Sequence, residues 1–550
     1  MAVNYTTRDP VKSGDLRADV LAGTTVALVA VPQCLAYATM AGLPPAYGLA
    51  TAIVPALVAA LAGRSPTVVT GPTNTTSLLI LPVVLPFVTA SGLEPGALAW
   101  VATLTLLCGV LRLVAAYGGG AVLLRYIPES VLTGFIAGAG ILIALMQVDE
   151  ALGLPAITAI GAAEEAAGLL AAVQGGAVPS VLAMAVTLAS VAAVAAGQRY
   201  SPKMPVTLAV VLGGAALAWA FGLDAAHGLP LVGDRASVPA GWPPVALPIL
   251  DPGVLAQLVV PALAIVLLGT LELIATIRVE DPRADLRREI AAQGAGNIAG
   301  ALTGCFPASA SLTRSVLLRM GQPRTRLAAV VAAVLVVPML LFGSGLIARI
   351  PVACLAGILF VIAGAMVRRP TLGRLWNAST VSRLLLGVTP VATLVLPLAW
   401  AIFTGAALGL VIHLARTGSP RVRALTFDDE RLVPFEGRDA DVAVLEVSGT
   451  VHYAAVEPLL EEMDRQLPPT ARVVIVDLSH AHELRFTGLR AIESWAGELE
   501  GRGIRVRLAG VTPEVGELLK GAGTHLPYTM ADAIPGRSAL TSYREAPSKP

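Results

Sequence analysis

Charge is scarce in this chain. Asp, Glu, Lys and Arg make up only 14% of its 550 residues, 55% are hydrophobic, and the mean hydropathy is +0.75. A soluble chain carries about 25% charged residues, so a wholly soluble protein is excluded. The formal net charge of +1 leaves no basic excess for nucleic acid. Cysteine is scarce as well: Cys34, Cys108, Cys305 and Cys354 lie in or beside apolar runs, and none belongs to a CxxC or Cys/His cluster. That excludes a disulfide framework and a zinc site, and no cofactor is expected.

What the chain has instead is apolar runs, such as VLAMAVTLASVAAVAA (181–196) and LAAVVAAVLVVPMLLFGSGLI (327–347). About twenty such residues span the hydrocarbon core of a bilayer, so the chain is a polytopic membrane protein. The first run starts near residue 19 and continues past residue 31 without a convincing cleavage site. It reads as the first span, not as a signal peptide.

High hydropathy ends near residue 415. Beyond it, DVAVLEV (441–447) alternates like a strand and RVVIVDL (472–478) is a β-branched run suited to a buried one. GLRAIESWAGELEG (488–501) has helical spacing, and GIRVRLAG (503–510) returns to strand character. The expected organisation is an N-terminal segment (1–18), a transmembrane domain (19–417), a linker (418–438), a soluble α/β domain (439–537) and a disordered tail (538–550).

The basic residues collect in alternate loops: Arg8, Lys12 and Arg17; Arg64; Arg125; Arg199 and Lys203; Arg278, Arg283, Arg287 and Arg288; Arg324 and Arg326; Arg368, Arg369 and Arg374; and the segment after Arg416. The intervening loops carry Glu94, Asp149, Glu150 or Asp251. By the positive-inside rule both termini face the cytoplasm and the number of spans is even, about twelve to fourteen.

Two apolar runs are broken in matching places. VVTGPTNTTSLLILPVVLPF (68–87) is interrupted at Gly71-Pro72 and followed by hydroxyls; FPASASLTRSVLLRM (306–320) is interrupted at Pro307 and followed by Ser309, Ser311 and Thr313. From Val20 to Pro72 is 52 residues, and from Val254 to Pro307 is 53. Interrupted segments in corresponding positions of two halves point to a transporter's binding site, because non-helical backbone at membrane depth must line a cavity or be buried in protein. A half-helix that begins there aims its free N–H groups and positive dipole end at that cavity, a cradle for an anion. The plainer alternative is that Pro72 and Pro307 only kink ordinary helices.

Arg314 stands just past the second break. With a half-helix starting near Ser309, it lies within about two turns of the N-terminus and adds a fixed charge suited to an oxyanion. The competing reading has it snorkel to the cytoplasm with Arg319, Arg324 and Arg326, but an arginine inside the membrane costs at least about 2.5 kcal/mol. Glu272 interrupts another apolar run, PALAIVLLGTLELIATI. A carboxyl facing a cavity can take up a proton and offset the charge of an incoming anion; alternatively it pairs with Arg278 or Arg314. Gln33 and Tyr37, four apart in the first span, share a face that points inward.

These motifs resemble the SulP (sulfate permease) family, the bacterial relatives of solute carrier family 26. VPQCLAYATMAGLPPAYGL (31–49), GPTNTTSLL (71–79), IPESVLTGFIAGAGILIALMQVDEALGL (127–154) and EIAAQGAGNIAGALTGCFPASASLTRS (289–315) are similar to its first-, third-, fifth- and ninth-to-tenth-span signatures. The tail resembles a STAS domain. The resemblance implies fourteen spans in two inverted repeats of seven (about 19–225 and 250–417), forming core and gate domains, and homodimers. It implies an anion site at Gln33, Tyr37, Thr73, Asn74, Thr75, Ser311, Thr313 and Arg314, with Glu272 matching a glutamate associated with proton coupling. Relatives that use sodium carry a nearby aspartate, and none stands here.

Two departures stand out. The STAS loop reads RFTG (485–488), with Phe486 where regulatory relatives have a phosphorylatable serine, and Ala310 replaces a glycine common before the tenth span. The leading expectation is a plasma-membrane importer of a small anion, sulfate with a proton. Bicarbonate, dicarboxylate or another anion is the alternative within the family. A nucleobase carrier needs no fixed cation such as Arg314. A membrane-anchored STAS regulator has no use for Gln33, Glu272 and Arg314 inside the membrane, and an uncoupled channel has none for Glu272. An enzyme is not expected: Asp477, His480 and His482 form a weak signal that reads as a solvated loop.

Overall fold

The computed structural model describes residues 13–530, apart from 90–91, 119–127, 156, 158, 160, 201–204, 236–240, 281–283, 368–369, 418–420, 429–430, 436–440, 452–454 and 483. The tail expected at 538–550, and Arg8, Lys12, Arg125, Lys203, Arg283, Arg368 and Arg369 from the orientation argument, lie outside the described residues, as do the side chains of Arg278 and Arg416. The chain divides into a unit of residues 1–409 and a unit of residues 410–550.

The apolar runs of the first unit fold as helices. In order they are α1 (Ser13–Met40), α2 (Pro45–Ala62), α3 (Asn74–Val84), α4 (Pro95–Tyr117), α5 (Glu129–Leu145), α6 (Ala162–Gln174), α7 (Val181–Tyr200), α8 (Val206–Phe221), α9 (Pro252–Glu280), α10 (Leu286–Ala301), α11 (Leu312–Met320), α12 (Leu327–Val334), α13 (Val352–Val367), α14 (Thr380–Val395) and α15 (Leu398–Thr417). Among the described residues, seven helices are long and apolar enough to cross a membrane, and five shorter apolar helices accompany them.

Small residues bring these helices together. Gly48 of α2 packs so closely on the Cys34 carbonyl of α1 that a Cβ would overlap it. Without a hydrophobic force between helices in lipid, such backbone-range packing supplies the attraction. α10 is the least apolar of the long helices, yet its Gln293 and Asn297 are buried. These polar groups face protein, directly behind the second break.

Both breaks are real departures from helix. Strand β1 (Thr70–Gly71) pairs antiparallel with β2 (Ser309–Ala310), in the register Thr70↔Ala310 and Gly71↔Ser309. The half-helix α11 therefore starts at Leu312 and not near Ser309, because Ser309 and Ala310 are held as strand and Ser311 is the N-cap. Pro72 and Pro307 do not kink continuous helices; they precede helix starts.

The second unit is an α/β domain with a six-stranded sheet. Its strands are β3 (Arg421–Asp428), β4 (Arg431–Pro434), β5 (Val442–Thr450), β6 (Val473–His482), β7 (Arg505–Val511) and β8 (Tyr528–Met530), in spatial order β8-β7-β6-β5-β3-β4. The β5–β6, β6–β7 and β7–β8 pairs are parallel, while β3 runs antiparallel to β5 and β4. Helices α16 (Val456–Gln466), α17 (Phe486–Gly501) and α18 (Pro513–Ala522) complete it. The segment expected to be a linker supplies β3 and β4. Its alternation, Val422 and Ala424 buried between Arg421 and Arg423, was masked by the charges on the other face. His480 pairs with Glu446 at 3.2 Å, and Phe486 and Thr487 are exposed at the start of α17.

Gly48→Ala is expected to push α1 and α2 apart at a cost of about 1–3 kcal/mol. Thermal unfolding in detergent checks this through a lowered melting temperature.

Candidate anion site

Backbone that leaves a helix inside the membrane needs partners from neighbouring protein groups, and here the two breaks satisfy each other. Ser311 N–H donates to the Val69 carbonyl (2.9 Å), and Val69 N–H donates to Ser315 Oγ (3.0 Å). The chain entering β2 is held by side chains. Asn297 accepts from Ala308 N–H through Oδ1 (2.7 Å) and donates to its carbonyl through Nδ2 (3.1 Å). Thr51 Oγ1 accepts from Phe306 N–H (3.0 Å), and Thr105 donates to the Cys305 carbonyl (3.1 Å).

α3 begins in a cluster of hydroxyls. Thr73 is its N-cap in extended conformation, forming a capping box with Thr76, and their hydroxyls lie 2.9 Å apart. Part of the polar run after Pro72 thus has a local cause: the Thr73 and Thr76 hydroxyls serve N–H groups that the helix start leaves open.

Arg314 is the third residue of α11 and only 1% exposed. Its Nη2 donates to the Pro72 carbonyl at 2.6 Å, two residues before α3 begins, and Nη1 donates to Cys34 Sγ at 3.5 Å. Nε has no hydrogen-bond partner among the described residues. The snorkelling alternative fails for Arg314, whereas Arg319, Arg324 and Arg326 are exposed. Gly71 makes room for the guanidinium: a Cβ there would sit 2.9 Å from Nη1 and 3.0 Å from Nη2, and its φ of +152° disfavours any side chain.

Glu272, half-buried on α9, accepts hydrogen bonds from the Thr75 hydroxyl and from Thr73 Oγ1 (3.4 Å). Arg314 directs its donors to Pro72 and Cys34 instead, so the two do not pair. One point therefore collects the start of α3, a guanidinium from α11 and a carboxyl from α9.

The remaining expected residues are placed less uniformly. Gln33 and Tyr37 are buried on α1, flanking Cys34, and Gln33 Oε1 has no partner among the described residues. Ser311 accepts from Arg314 N–H at 3.4 Å. Asn74 is half-buried, with Nδ2 2.8 Å from Met366 Sδ. Thr313 is exposed, and no described hydrogen bond ties its side chain to the cluster.

Sequence reasoning missed Arg112 of α4, which is 1% exposed. Its Nη1 donates to Gln293 Oε1 (2.5 Å) and to the Ala308 carbonyl (2.9 Å), which fixes the strand entering α11. The available signal was a charge inside the apolar run CGVLRLVAA. Gln293 and Asn297 carried a similar signal, polar amides in a glycine-rich helix.

The sulfate permease family model matches residues 16–389, and a STAS domain model matches residues 437–527. A probable sulfate transporter of Mycobacterium tuberculosis is 31% identical over 526 residues, covering 92% of this chain and 91% of its own. The chain belongs to the sulfate permease family. It is an anion transporter of the multi-pass membrane class and not an enzyme. The bicarbonate transporter BicA of Picosynechococcus is 24% identical over 87% of this chain and 86% of that one. The solved structure of murine solute carrier 26 family member A9, an anion transporter in the inward-facing state, aligns with a TM-score of 0.84 at 17% identity, over 94% of this chain and 89% of that one. That likeness shows the fold, and the fourteen-span inverted-repeat architecture with a C-terminal STAS domain agrees with it.

Gly71→Ala is expected to displace the Arg314 guanidinium and weaken anion binding roughly tenfold, equivalent to about 1.4 kcal/mol. Calorimetric titration of the purified protein reads this directly; an unchanged affinity would separate the guanidinium from the binding site.

Proposed function

We propose that the chain imports a small anion, sulfate first among candidates, by symport with a proton and elevator-like alternating access. The reading places it in the plasma membrane as a homodimer with both termini cytoplasmic. The observation that carries it is the reach of Arg314 from α11 to the Pro72 carbonyl beside the α3 N-terminus. Two positive helix ends and a guanidinium then share one low-dielectric region, an arrangement that favours a bound anion. The hydroxyls of Thr73, Thr75 and Ser311, with Asn74 and the inward face of Gln33 and Tyr37, would complete its shell; Thr313 is the weakest member of that set, being exposed.

Glu272 supplies the coupling. As a carboxylate it engages the hydroxyls of Thr73 and Thr75, the same donors an anion at the α3 N-terminus would use. Protonation removes the competing charge and releases acceptor demand on those hydroxyls, so proton and anion enter together. Bicarbonate is the second reading, favoured by the relative that carries that name.

Uptake of radiolabelled sulfate, bicarbonate and fumarate into proteoliposomes distinguishes these, each with an inward proton gradient and with it collapsed. Sulfate uptake that falls on collapse is expected; indifference to the gradient would remove symport. Arg314→Ala is expected to abolish measurable anion binding with the fold intact, checked by calorimetry and thermal unfolding together. Glu272→Gln is expected to transport at a rate that no longer follows the gradient, and a rate still following it would assign the proton to another group.

A further inference from the structure

Arg112 is a fully buried cation that the anion site described above does not use. Two of its donors go to Gln293 and the Ala308 carbonyl through Nη1, while Nε and Nη2 have no hydrogen-bond partner among the described residues. Nη2 packs against Gly269 of α9, where a Cβ would overlap it. The Gly269 carbonyl also accepts from Ser309 Oγ (3.1 Å), and Gly269 lies three residues before Glu272, on the same helix face. Arg112 thus sits one turn from Glu272 and behind the strand that leads to Arg314, with no hydrogen bond to either among the described residues.

We propose that Arg112 is a specificity-determining residue, a second buried cation that makes the site a receptor for a doubly charged anion whenever Glu272 is neutral. Arg112 from α4 and Tyr37 from α1 act electrostatically on Glu272, and Arg314 from α11 acts on Tyr37 and on Cys34 beside it. Net charge is costly in a low-dielectric interior. With Glu272 protonated the two arginines leave two positive charges, which a dianion balances. With Glu272 ionised one positive charge remains, which a monoanion balances. Removing the charge of Arg112 moves each state by one unit and so shifts preference from dianions toward monoanions. The inference rests on the proton role proposed for Glu272.

The test compares uptake of sulfate and of nitrate, a monoanion that stays ionised, by the full chain in proteoliposomes at pH 6. Arg112→Gln is expected to lower the sulfate-to-nitrate ratio about tenfold, while Arg112→Lys, which keeps the charge, retains it. Gln293→Glu gives a second arm that preserves the buried guanidinium: a carboxylate against Arg112 Nη1 cancels its charge in place and lowers the ratio in the same direction. Equal loss of both anions in Arg112→Gln and Gln293→Glu would reduce Arg112 to a structural tie and overturn the proposal. The parent reading is decided separately by wild-type protein with the proton gradient collapsed. Gradient-independent sulfate uptake sinks the proton role of Glu272, while the ratio in the two variants still decides Arg112. Wild-type protein that takes up neither anion overturns both.

Discussion

Everything in the membrane unit depends on one constraint: peptide groups that leave a helix inside a bilayer find no water. The chain meets it by crossing its two broken segments, β1 on β2, and by aiming side chains of Thr51, Thr105, Asn297 and Arg112 at the backbone between Cys305 and Ala308. The crossing fixes the two half-helix starts relative to each other. It also explains why these four polar residues, costly in lipid, cluster here, since each completes a hydrogen bond that the broken backbone requires.

The electrostatics follow from that geometry. A positive guanidinium beside a positive helix end is unfavourable, and it is tolerated because Arg314 donates to the Pro72 carbonyl and to the Cys34 sulfur. Glu272 moderates the same field from α9 through hydroxyls, without an ion pair. The hydrogen-bonding pattern, more than the residue list, separates Glu272 from a structural ion pair with Arg314.

How much of this was legible in the chain varies with the kind of signal. Long apolar runs stood out by matching the length of a membrane span, and the paired breaks and the isolated charges at Arg314 and Glu272 because each violates a local rule of membrane helices. Arg112 violates the same rule, yet a reading that sorted arginines into loops passed over it. The strands β3 and β4 were hidden because an edge of a soluble sheet puts charge on its open face, so Arg421 and Arg423 resemble a linker. The start of α11 was placed too early because serine and alanine are compatible with helix, and only pairing with Thr70 and Gly71 makes Ser309 and Ala310 a strand.

The sequence alone determined that this is a polytopic membrane protein with a soluble α/β tail, where its helices break, and which charges lie at those breaks, because hydropathy and breaker residues act locally. Only the tertiary structure decided which groups meet: that Arg314 reaches Pro72, that Glu272 engages the α3 hydroxyls, and that Arg112 stands behind both. Those contacts join residues nearly two hundred or more positions apart, and no local rule specifies partners over such separations.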